Sequence, residues 1–129
     1  MTQEEKELLL KDLYSRLPYN PMVEYKGETY NVLGITHGRL VLCKPFMSIT
    51  LDECPLIEEV KHYLFPMSSM TGDEVLEYIS LKESIIASDD ITYYFETYES
   101  IDWLNKNKFD YRGLIPMGLA IDATGLNIY

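Results

Sequence analysis

Near the start of the chain Leu9, Leu10, Leu13, Tyr14 and Leu17 recur at the spacing that puts them on one face of a helix. Thr2 and Glu5 form a T-x-x-E capping box, and acids fill the first turn, where the helix dipole favours them. This pattern predicts a helix from Thr2 to Leu17, stopped by Pro18 and Pro21, with an apolar face that needs a surface to pack on. The period then changes to two. Met22–Lys26, Thr29–Thr36 and Arg39–Lys44 read as short strands joined by Lys26-Gly27 and His37-Gly38, where Gly supplies the positive φ of a tight hairpin. Phe46–Leu51 is a further alternating run, and Glu58–Phe65, closing at Pro66, is a candidate for another. Such a series predicts a bent antiparallel meander; whether it curls into a small SH3-like barrel stays open at this level.

A second capping box, Thr71-Gly-Asp-Glu74, opens a helix with Val75, Leu76 and Ile79 turned inward and Tyr78 a further candidate. Between Leu81 and Glu96 the apolar runs Ile85-Ile86 and Ile91–Phe95 are interrupted by Ser88-Asp89-Asp90, as a turn would do. The expectation is a surface excursion with one short strand near Tyr93. Thr97 or Ser100 caps a third helix running through Trp103 and Leu104 towards Lys108. The tail from Phe109 carries Gly113, Pro116, Gly118 and Gly125, so it cannot be one long helix. An extended Leu119–Asp122 segment fits it better, with Leu114, Ile115, Leu119 and Ile121 covering the core as a docked tail. The fold class is α+β, with residues 1–129 forming one domain.

Charge narrows the functions. Twenty-one acids against 11 bases give a net charge of −10, which repels nucleic-acid phosphates, so direct nucleic-acid binding is not expected. The opening Met-Thr-Gln-Glu-Glu-Lys-Glu is acidic where a secretory signal is basic, and no apolar run approaches a membrane span. These features predict a cytoplasmic protein with no membrane association. Its two cysteines, Cys43 and Cys54, would there be partly buried, reduced thiols.

Candidate chemistry is thin. The only histidines are His37, in a hairpin turn, and His62, which the strand pattern turns towards water or the sheet end. No catalytic signature joins either of them to Cys43. The acid pairs Asp52-Glu53, Glu58-Glu59 and Asp89-Asp90 fall at turns or edges and read as solvated charge. No catalytic residue, metal site or cofactor is expected. Among the three arginines, Arg112 beside Tyr111 is the candidate ligand contact, since a guanidinium fork suits small anions; its alternative role is to tie the tail to the third helix. The aromatic content is the most suggestive feature: eleven tyrosines, Trp103 and four phenylalanines. Tyr93, Tyr94, Phe95 and Tyr98, with Trp103, form the candidate interface, and covering the helix–sheet core is the competing role.

Two segments carry a family resemblance. His62-Tyr-Leu-Phe-Pro-Met-Ser-Ser-Met-Thr71 resembles a "PYL-P-SSMT" segment, and Trp103 to Ile115 with Gly118–Asp122 resembles a "WL-N-FD-RGLI-GLA" ending. Both occur in a family of small proteins from gut Bacteroidales and their phages and mobile elements. With the capped N-terminal helix the similarity spans most of the chain; Ala87–Glu96 fits it poorly, and His62 replaces the Lys or other residue expected before Tyr63. The resemblance implies a phage-linked origin and supplies no catalytic residues. The expected function is a non-enzymatic acidic interaction module, a phage or mobile-element accessory or inhibitor that binds a host protein or a second copy of itself. The alternatives are an acidic nucleic-acid mimic, and a small-ligand binder with a pocket between sheet and tail.

Overall fold

The computed structural model describes residues 1–45 and 50–129. Helix α1 spans Gln3–Arg16, and the predicted Thr2–Glu5 capping box closes it at its start. A single 3₁₀ turn, Leu17–Tyr19, follows at Pro18. Strands β1 (Met22–Tyr25), β2 (Glu28–Thr36) and β3 (Arg39–Cys43) form the antiparallel meander. Its hairpins turn on Lys26-Gly27 (φ 50° and 80°) and His37-Gly38 (φ 51° and 76°). Both turn residues of each hairpin are left-handed, which matches the turn to the twist of the strands. Between Val32 and Gly34 the register of β2 against β3 slips, and Leu33 is left exposed there.

Of the predicted Glu58–Phe65 strand, Lys61–Leu64 forms β4; Ile57–Glu59 is a 3₁₀ turn. The run at Phe46–Leu51 lies mostly outside the described residues, with Thr50 bridged to Cys43. Helix α2 (Gly72–Leu81), strands β5 (Glu83–Ile86) and β6 (Thr92–Phe95), helix α3 (Tyr98–Lys106) and strand β7 (Ala120–Asp122) complete the chain. The main sheet has the order β3-β2-β1-β4-β7, with β7 parallel to β4, so it is mixed. It does not close into a barrel: β3 and β7 end it on opposite sides. The tail is docked through β7, as its apolar content predicts.

One face of this sheet buries Val23, Val32, Leu40, Leu42 and Leu64 against Leu9 and Leu13 of α1, with Leu114 and Leu119 of the tail closing the cluster. Tyr14, predicted on the same helix face, is exposed. A second cluster gathers Tyr78, Trp103, Leu104 and Phe109, and Trp103 stacks on both Tyr78 and Phe109 with centroids 5.6 and 5.5 Å away. Helix α2 reverses the expectation for its apolar residues. Val75, Leu76 and Ile79 face outward, and only Tyr78 of that helix is buried.

Candidate functional site

Asp12 and Arg16 occupy the face of α1 that also carries Leu9 and Leu13, so folding draws both charges inside with the leucines. Arg16 grips Asp12 with two hydrogen bonds of 3.0 Å and gives another, of 2.7 Å, to the Phe109 carbonyl. Arg112 Nη1 donates to Asp12 Oδ1 at 2.8 Å and to the Tyr111 hydroxyl at 2.6 Å, while its Nη2 reaches Ser15 at 3.4 Å. The Tyr111 hydroxyl in turn donates to Asn105 Oδ1 at 2.9 Å. His62 corrects its expectation: it is 2% exposed, with Nδ1 3.5 Å from Asp12 Oδ2. Burial alone would push the Asp12 carboxyl up; His62 and the Arg16 guanidinium overturn that and hold it well below the usual carboxylate range.

Tyr111 and Arg112 are therefore spent on the interior of the protein. Arg112 ties the tail to α1 and not to α3, and its side chain is 14% exposed. The signal for this cluster was present in the chain. Asp12 and Arg16 are four residues apart and interleave with Leu9 and Leu13, a spacing that puts an ion pair inside an apolar stripe.

The aromatic cluster is arranged differently. Strands β5 and β6 form a two-stranded ribbon of their own, where one strand was expected. Its register sets Ile85 opposite Tyr93 and Glu83 opposite Phe95 on one face, with Ser84 opposite Tyr94 and Ile86 opposite Thr92 on the other. Every residue of both strands is exposed. Tyr93, Tyr94 and Phe95 are about half exposed and Tyr98 is 95% exposed, so these rings cover no core. Trp103 is not part of this surface; it is 8% exposed within the second core cluster.

The base of the ribbon is firmly tied. Glu96 accepts from the Tyr78 hydroxyl and from Ser100 Oγ, and pairs with Lys82 at 3.2 Å. Burial would raise the Glu96 carboxyl, but Ser100, Tyr78 and Lys82 together keep it low; burial and Glu96 push the Tyr78 hydroxyl up. Thr97 caps α3 and donates to the Leu81 carbonyl at 2.6 Å. An open cleft lined by Glu96, Thr97, Tyr98 and Ile101 lies at this base. The arrangement can offer a partner apolar side chains on two faces and two strand edges that pair with no further strand among the described residues.

No family model, curated protein or solved structure matches this chain. Among the described residues no three His, Cys, Asp or Glu side chains gather as a metal ion would require, and no helix is long and apolar enough to cross a membrane.

Proposed function

We propose that this protein is a non-enzymatic interaction module that docks through the β5–β6 ribbon on a partner protein with an apolar groove rimmed by Lys and Arg. One observation carries the reading: a ribbon bearing Ile85, Ile86, Tyr93, Tyr94 and Phe95 leaves all of them exposed. A hairpin with two solvated apolar faces is marginal by itself, and contiguous apolar patches on a protein surface mark contact sites. Rigid aromatic rings lose little entropy on docking and supply most of the energy of typical interfaces.

Charge selects among occupants. The ribbon carries Glu83 at its base and Asp89 and Asp90 at its tip, with Glu96 and Glu99 beside it, on a chain of net charge −10. A second copy would bring like charges together, whereas a basic rim would be attracted and steered. Within this proposal the module acts as a cytoplasmic accessory or inhibitory factor, in keeping with its resemblance to phage and mobile-element proteins. The nucleic-acid-mimic alternative gains no support from the geometry, since Glu28 and Glu53 are paired with Lys44 and Lys26.

The test is a comparison of the native chain with an Ile85→Ser, Tyr93→Ser, Phe95→Ser variant. Both are immobilised over host lysate at low and high salt, and sedimentation checks self-association. The expected result is a monomer that retains a basic protein in stoichiometric amount, with retention lost in the variant and weakened by salt. Equal capture by the variant, or a ribbon-dependent dimer without a partner, would overturn the proposal.

A further inference from the structure

A cavity of about 400 Å³ opens where the end of β4, the C-terminal end of α3 and the tail meet, and its lining includes Phe65, Lys106, Lys108, Phe109 and Tyr129. Its lining shares no residue with the ribbon, and it adjoins the Asp12 cluster only where Arg16 bonds the Phe109 carbonyl. We propose that it binds a small organic monocarboxylate with a flat apolar body, held by the Lys108 ammonium.

Lys108 is only 7% exposed. Its Nζ donates to the Lys106 carbonyl at 3.0 Å and stands 4.9 Å from the centre of the Tyr129 ring. Among the described residues it pairs with no carboxylate. An ammonium has three donors and one is used here, so a buried positive charge held between two other lining residues, Lys106 and Tyr129, has hydrogen-bonding capacity to spare. The backbone holds it there. Lys108 sits at φ 64°, a left-handed conformation that disfavours side chains, and both its backbone groups are hydrogen-bonded, the carbonyl to Phe65 N–H at 2.8 Å and the N–H to the Asn105 carbonyl at 3.2 Å.

The walls suit a flat apolar body. Phe65 lies between Phe109 and Tyr129, with centroids 6.2 and 6.0 Å away. Phe109 is backed by the stacked Trp103, and the Tyr129 hydroxyl is pinned, accepting from Met22 N–H at 2.8 Å and donating to the Tyr63 carbonyl at 3.0 Å. Preformed aromatic walls with one convergent charge are the usual make-up of a small-molecule site. Glu74 also lines the cavity. Its carboxylate opposes a second negative charge, which favours a monocarboxylate over a phosphate dianion. Burial and the nearby Arg16 pull the Lys108 ammonium down to about 8, a cost that a bound anion would offset.

Fluorine NMR titration with 4-(trifluoromethyl)benzoate and with the uncharged 4-(trifluoromethyl)benzamide tests this. The expected result is that the carboxylate binds the native protein at least tenfold more tightly than the amide, that Lys108→Met loses at least tenfold, and that the ribbon variant binds normally. Equal affinity for acid and amide, unchanged binding by Lys108→Met, or binding that vanishes with the ribbon would overturn the proposal. Should Lys108→Met fail to fold, the acid–amide comparison and the carbon shift of the Lys108 side chain in the native protein decide it. Absence of a shift at saturating benzoate counts against the site.

Discussion

Arg112 Nη1 lies 2.8 Å from Asp12 Oδ1 across 100 residues of sequence, and this bond fastens the tail to the first helix. Asp12 is wholly buried, and Arg16 and Arg112 converge on it. A single carboxylate therefore balances two guanidinium groups in the interior, and each depends on the others for its charge compensation.

Asp12→Asn is expected to destabilise the protein by about 3–5 kcal/mol, since it leaves two cations without their counter-charge. Urea unfolding measures this directly. The acid limb follows with a definite sign. The folded carboxyl is held below its ordinary value of 3.8, so its stabilisation is fully present above about pH 4 and is lost as pH falls below that. The gap in stability between native and Asp12→Asn protein should narrow steadily below pH 4; a constant gap would mean that the carboxylate charge is not what matters.

Lys108→Met should act in the opposite direction. The folded ammonium is pulled from 10.5 to about 8, so in the unliganded protein its burial is a cost at neutral pH that disappears as pH rises between those values. The groups around it are Arg16, which acts on its charge, the Tyr129 ring beside it, and Lys106 and Glu74, which line the same cavity. The variant should be the more stable at pH 7, with its advantage over the native chain shrinking by roughly 3 kcal/mol at most by pH 10.5. Paired unfolding curves at the two pH values read out the difference. A native chain that is the more stable at neutral pH would show that the hydrogen bond to Lys106 outweighs desolvation.

The ribbon substitutions Ile85→Ser, Tyr93→Ser and Phe95→Ser should change stability little, within about 0.5 kcal/mol each, because none removes core contacts. Thermal melts of the single variants test this. A loss of several kcal/mol would mean that the rings support the fold.

Much of the framework was legible because it is local. The capping boxes at Thr2 and Thr71 and the Lys26-Gly27 and His37-Gly38 turns are set by neighbours a few residues apart, and each appears where the pattern put it; of the two candidates for the third cap, Thr97 and Ser100, the structure uses Thr97. The missed features are those in which amphipathic spacing had two readings. Val75, Leu76 and Ile79 keep helical periodicity, but the second core cluster takes only Tyr78 from α2 and leaves their side outward. His62 alternates as a strand residue should, yet the sheet face it shares is covered by α1, which brings Asp12 to it.

By itself, the sequence determined the acidic charge, the α+β class, the helix starts and the tight turns, since each depends on composition or on contacts within one turn of chain. Only the tertiary structure decided that Arg112 points inward, that Trp103 belongs to the core and that the Tyr93–Phe95 rings stay in solvent. Those outcomes depend on which elements cover one another, and that is settled by contacts between residues as far apart as Asp12 and Arg112.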